Sequence, residues 1–136
     1  MCILRLSSRS VSFKPILDET KLPITSVYDA GEYRDTKRAR LCQNNQATLD
    51  VSDKEWDDLQ GQINDAICFL ENHKGDIQKL FELVNDLSVG LDFPINSKLD
   101  GNIVTQGITF PGRLTSLAGS LNIDIGMTLY EYGLFE

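Results

Sequence analysis

A single histidine and three cysteines are the residues of this chain best suited to nucleophilic or metal chemistry, and their spacing serves neither. His73 would need an orienting carboxylate and a nucleophile nearby to act as a general base. It stands instead beside Lys74-Gly75, where a helix is expected to end and a cation suits the macrodipole, so it reads as a solvated helix-end histidine. Cys68 falls within an acidic helix that opposes the thiolate, Cys2 belongs to a strand and reads as core, and Cys42 has no assigned place. No pair of cysteines has metal-ligand spacing. Asp53, Asp57 and Asp58 are close enough for a hard cation, but no Asx-rich loop with a central glycine accompanies them. They read as the solvated start of a helix. No glycine-rich strand-to-helix loop or Gly-Lys-Ser/Thr run offers a phosphate cradle, and Pro111-Gly112 before a helix is too little. The reading is therefore of no catalytic, metal or cofactor site.

The remaining chemistry is charge. Fifteen of the twenty carboxylates fall in residues 50–136 with only five Lys or Arg, a net charge of −10. Residues 1–49 carry eight basic and five acidic side chains, net +3. The overall charge of −7 disfavours nucleic acid and anionic membrane as partners. A lopsided field suits a partner of opposite sign, here a basic protein. On the central helix, Trp56, Ile63 and Ile67 define an expected buried direction at 100° per residue. Asp58 and Asp65 then point almost directly away, with Asp57 and Asn64 on the adjoining flank. These four form the candidate protein interface, and the imbalance extends to Glu71, Asp76, Glu82, Asp86, Asp92 and Asp100. The basic segment Arg34–Arg40 is the surface of opposite sign.

Positioning these groups requires the following elements. Cys2, Leu4 and Leu6 alternate as a strand, and a short helical stretch around Phe13–Thr20 carries Pro15 in its first turn. Ile24–Tyr28 reads as a second strand, and Gly31 opens a polar, basic loop with Arg34, Lys37 and Arg38. Ala39–Val51 suggests one or two strands around an Asn44-Asn45 turn. Ser52-Asp53-Lys54-Glu55 has the pattern of a capping box. Trp56, Leu59, Ile63, Ile67 and Leu70 follow at helical spacing, and Gly75 fits the end of that helix. Asp76 opens a second helix with Ile77, Leu80, Phe81 and Val84 on one face. Val89–Ile95 alternates as a strand, Asp100-Gly101 supplies a turn, and Ile103–Phe110 is expected to return antiparallel. Pro111 starts a helix that buries Leu114, Leu117, Ala118 and Leu121, with Asn122 as its stop. Ile123–Leu129 is a last strand before the tail Glu131–Glu136.

The order β-α-β-β-α-α-β-β-α-β predicts one α+β domain over residues 1–136. Its mostly antiparallel sheet of five to six strands is covered by helices in a two-layer sandwich. Apolar content of 41% and charged content of 24% suit a globular rather than a disordered chain. No stretch reaches a membrane span, and Arg5 interrupts the only apolar run near the start. A reduced cytoplasmic setting with three free thiols is expected.

This element order resembles a family of small bacterial domains of unknown function that includes candidate toxin-immunity proteins. The likeness rests on the strand-first start, the central amphipathic helix, the Val89–Ile95 strand and the Leu114/Leu117/Leu121 helix followed by Asn122-Ile123-Asp124-Ile125. Together with the charge, it implies a non-enzymatic inhibitor of a cognate basic protein, a toxin domain, with Asp and Glu mimicking phosphate. The alternatives are a small enzyme, with a carboxylate such as Asp124 as acid or base, and a small-ligand-binding regulatory domain.

Overall fold

The computed structural model describes residues 1–35, 37 and 40–131. Its α+β architecture is a five-stranded sheet with helices packed on one face. The strands are β1 (Ile3–Ser8), β2 (Ser26–Tyr28), β3 (Tyr33–Asp35), β4 (Arg40–Leu41), β5 (Asn45–Asp50), β6 (Ser88–Asn96) and β7 (Asp124–Tyr130). The helices are α1 (Leu59–Asn72), α2 (Lys74–Leu83) and α3 (Gly112–Ser120). The main sheet has the order β2-β5-β1-β6-β7, antiparallel except for the β6–β7 pair, while β3 and β4 form a separate hairpin.

Strand alternation sorts the two faces. Leu4 and Leu6 align with Leu49 and Ala47 on one side and with Leu91 and Val89 on the other. These side chains are all buried and meet Ile63, Ala66, Ile67 and Leu70 of α1, Ile77 and Leu80 of α2, and Leu114 and Ala118 of α3 in one cluster. The intervening residues turn to the opposite face, which is polar: Arg5, Ser7, Gln46, Thr48, Asp92 and Thr128.

Several elements differ from the sequence reading. The stretch around Phe13–Thr20 yields only a 3₁₀ turn at Lys14–Ile16, in which Phe13 and Ile16 are buried and Leu17 is exposed. An i, i+3 apolar pair fits the three-residue turn of that helix without calling for a longer one. The basic loop is the β3–β4 hairpin, entered through Gly31 at φ +88°. Arg38 of that loop, Ala39 at the predicted strand start, and residues 132–136 of the tail lie outside the described residues.

Ile103–Phe110 forms no strand. Both edges of β6 are already occupied, by β1 and by β7, so a returning segment has no backbone groups left to pair with. Residues 97–110 instead run as an irregular loop, with Asp100 accepting from the amides of Asn102 and Ile103 in the expected turn. Asn122 does stop α3, in the left-handed region at φ 57°.

The capping box is also displaced. α1 begins at Leu59, and its cap is Asp58, whose Oδ1 accepts from the Gly61 amide at 2.9 Å. A Cβ on Gly61 would collide with that carboxylate. Gly75 lies in the first turn of α2, and the break between the helices is His73, which accepts from the Ile77 amide through its carbonyl. The histidine is half-buried rather than solvated. Its ring tilts against Phe69 at 4.5 Å, with Nδ1 3.5 Å from Asp76 Oδ2. Cys2 and Cys42 are buried, Cys68 is exposed, and all three are free thiols. Among the described residues, no helix is long and apolar enough to cross a membrane.

Candidate functional site: an acidic ridge beside an apolar groove

Segment 51–58 leaves β5 and crosses the end of the sheet where β1 starts and β6 finishes. Its backbone is held at several points. Val51 donates to the Cys2 carbonyl at 2.9 Å, and the Met1 ammonium donates to the Lys54 carbonyl. The fully buried Gln62 donates through Nε2 to the carbonyls of Glu55 at 3.0 Å and Pro94 at 3.1 Å. The Asn96 amide reaches the Trp56 carbonyl at 3.4 Å. Trp56 is therefore half-buried outside the helix, stacked on Tyr130 with ring centroids 4.4 Å apart and planes at 18°.

Along this fixed segment Asp53, Glu55, Asp57 and Asp58 are all exposed, with Lys54 the one cation among them. A groove of about 350 Å³ opens beside the ridge, lined by Trp56, Asp57, Leu59, Ile95, Ile103 and Ile108 among others. Its outer wall is the loop 97–110. Gln106 ties that loop down, accepting from the Lys98 amide at 2.7 Å and donating to the Asn96 carbonyl at 3.2 Å. On the same loop Val104 is 81% exposed, and Leu99 and Ile103 are about half exposed. Apolar side chains left in water next to a rigid aromatic are the composition of a docking surface.

The four predicted interface residues divide. Asp57 sits on the ridge and lines the groove. Asp58 is exposed but caps α1, and Asn64 is exposed one turn along, accepting from Gln60 Nε2 at 3.2 Å. Asp65 does not point away from the protein. It is half-buried and accepts from the buried Ser52 hydroxyl at 2.7 Å, tying the ridge segment to α1. The misplacement arises because the buried face of α1 extends beyond Ile63 and Ile67 to Gln62 and Ala66, and because a segment before the helix packs onto it. That face comprises Gln62, Ile63, Ala66, Ile67 and Leu70, and the packed segment 51–54 covers the Asp65 flank.

Most of the wider acidic set is already engaged. Glu71 pairs with Arg113 at 2.7 Å, and Asp92 holds Arg5 at 3.3 Å and the Thr128 hydroxyl at 2.7 Å. Asp86 receives the hydroxyls of Ser8 and Ser10 and the amides of Arg9 and Ser10, a set of donors that holds its carboxyl down at about 2. Asp100 is lowered by its two turn amides. Cations engage only Glu71 and Asp92 of these, while segment 53–58 carries four exposed carboxylates within six residues. The groove partners Ile95, Ile103 and Ile108 had no distinguishing signal, since the sequence places them in two paired strands.

The other candidates are not assembled into a centre. Among the described residues no three His, Cys, Asp or Glu side chains are placed to hold a metal ion. Asp124 is exposed at the start of β7, far in register from Trp56 and its partner Tyr130 at the strand's other end. Compared with known protein families, curated proteins and solved structures, the chain matches none of them.

Proposed function

We propose that this chain is a non-enzymatic protein-binding inhibitor, a bacterial immunity protein that neutralises a cognate basic toxin in the cytoplasm. What supports it is the ridge: four exposed carboxylates on a backbone-tethered segment, set against a groove lined by the exposed Ile103. A toxin acting on nucleic acid must carry positive surface for phosphates. The ridge is a matching field that steers such a surface into register, and the groove beside it takes the apolar stem or side chain that accompanies a basic residue. Because the segment is already held in place, little ordering cost remains on docking. Occlusion of the toxin's phosphate-binding surface is then the inhibitory act.

The test is association with the product of the adjacent gene, wild type beside Glu55→Lys/Asp57→Lys. Both positions are exposed, so the variant keeps its fold. Association slows by about tenfold or more at low salt, and the difference shrinks through roughly 0.1–0.5 M as screening sets in. Equal rates at low salt would remove the ridge from the interface. What favours the ligand-binding alternative is an arginine-lined concavity elsewhere, over the polar face of the sheet.

A further inference from the structure

The polar face of the sheet is where this acidic protein gathers arginines. Arg5 stands on β1 among Ser7, Gln46 and Thr48, and the β3–β4 hairpin brings Arg34 over the same face. Arg34 and Arg5 line both a small cavity of about 150 Å³ and a larger concavity of about 760 Å³. The larger one adds Arg40 of β4 and the amide side chains of Gln43, Asn44 and Gln46.

The walls are positioned independently of any ligand. Two backbone hydrogen bonds close the hairpin base, Gly31 donating to the Cys42 carbonyl and Cys42 to the Glu32 carbonyl, each at 2.8 Å. Cys42 is buried, and Asn45 Oδ1 accepts from the Ala30 amide at 2.9 Å. On the floor, Asp92 holds one nitrogen of Arg5 while Thr128 holds the other oxygen of Asp92. Arg34 and Arg40 are exposed and have no carboxylate partner among the described residues. Among the described residues, three guanidinium groups against one carboxylate leave a positive concavity on a chain of net charge −7.

The geometry points to a binding site for a small, multiply charged oxyanion of the phosphate class, held by Arg5, Arg34 and Arg40. Guanidinium forks match phosphate oxygens two at a time, and the neighbouring carboxamides add neutral donors. The volume lies in the range of small-ligand sites. Among the described residues no aromatic ring lines the concavity to stack a base, which favours a compact anion over single-stranded nucleic acid. The acidic remainder of the surface repels a duplex. Arginines brought together repel one another, and an anion between them removes that repulsion, so occupancy stabilises the folded protein.

The experiment is calorimetric titration of the isolated protein with pyrophosphate at low salt, with thermal unfolding in parallel. Because no protein partner is involved, its outcome is independent of the toxin-inhibitor reading. Saturable one-to-one binding and a raised Tm are expected. Arg34→Ala and Arg40→Ala, folded by circular dichroism, each weaken binding about tenfold or more, while Lys79→Ala on α2 leaves it unchanged. Arg34→Lys keeps the charge but loses the fork and falls between. Absence of saturation at millimolar pyrophosphate, or wild-type affinity in either alanine variant, overturns the site. A duplex or single-stranded oligonucleotide that binds more tightly than pyrophosphate overturns its assignment to small anions.

Discussion

Gln62 is the most demanding residue to replace, because the ridge hangs from it. Its side chain is fully buried, and its Nε2 donates to two backbone carbonyls, Glu55 and Pro94, while Oε1 has no partner among the described residues. Gln62→Glu keeps the shape and substitutes oxygen for that nitrogen. An ionised carboxylate would face both carbonyl oxygens in a fully buried site, so the group stays protonated well above its ordinary value. A fully buried glutamic acid can shift by about 4 units from 4.3, and at about 1.36 kcal/mol per unit this is a deficit of about 5 kcal/mol at high pH. The direction follows from linkage: a raised folded pKa leaves stability intact below the unfolded value of about 4.3, and it is lost as pH rises from there toward the folded pKa. Denaturant unfolding of wild type and variant side by side, at pH 4.5, 6 and 7.5, reads the difference directly. A gap that widens by about 1.4 kcal/mol per pH unit is expected. A gap under about 1 kcal/mol at pH 7.5, or one that does not change with pH, would show that the carboxamide is hydrated and does not anchor the ridge.

Two further outcomes follow from the same geometry. Trp56→Ala costs about 1–2 kcal/mol in denaturant unfolding rather than the larger loss of a core aromatic, because the ring is half-buried against Tyr130 outside the helix; a loss above about 3 kcal/mol would place it in the core. Asp86 anchors the turn after β1 with a carboxyl held at about 2, so its contribution is complete above the ordinary value of 3.8 and is lost as pH falls toward 2. Asp86→Asn should therefore be less stable than wild type at neutral pH and converge with it below that window, as followed by acid titration of the unfolding midpoint.

Local pattern alone was enough for the strands Leu4–Leu6 and Val89–Ile95, for the body of α1 and for the stop at Asn122. In each, the apolar period or the backbone preference of a single residue is a property of neighbours in the chain. Charge segregation was legible for the same reason, since it is a count along the sequence. What required the tertiary structure was every decision between competing partners. Ser52 could cap a helix or bond Asp65; the covalent sequence permits both, and burial of Ser52 beside α1 selects the second. Trp56 has helical spacing with Leu59 and Ile63, yet stacking on Tyr130, seventy-four residues later, holds it outside the helix. Ile103–Phe110 alternates acceptably for a strand, but β7 takes the free edge of β6 in parallel, and an occupied edge has no hydrogen bonds to offer. The acidic ridge and the arginine concavity arise from the same cause. Their members lie near or far in sequence indifferently, and only the fold, by engaging Glu71, Asp86 and Asp92 internally and leaving Asp53–Asp58, Arg34 and Arg40 exposed, decides which charges are left to meet a partner.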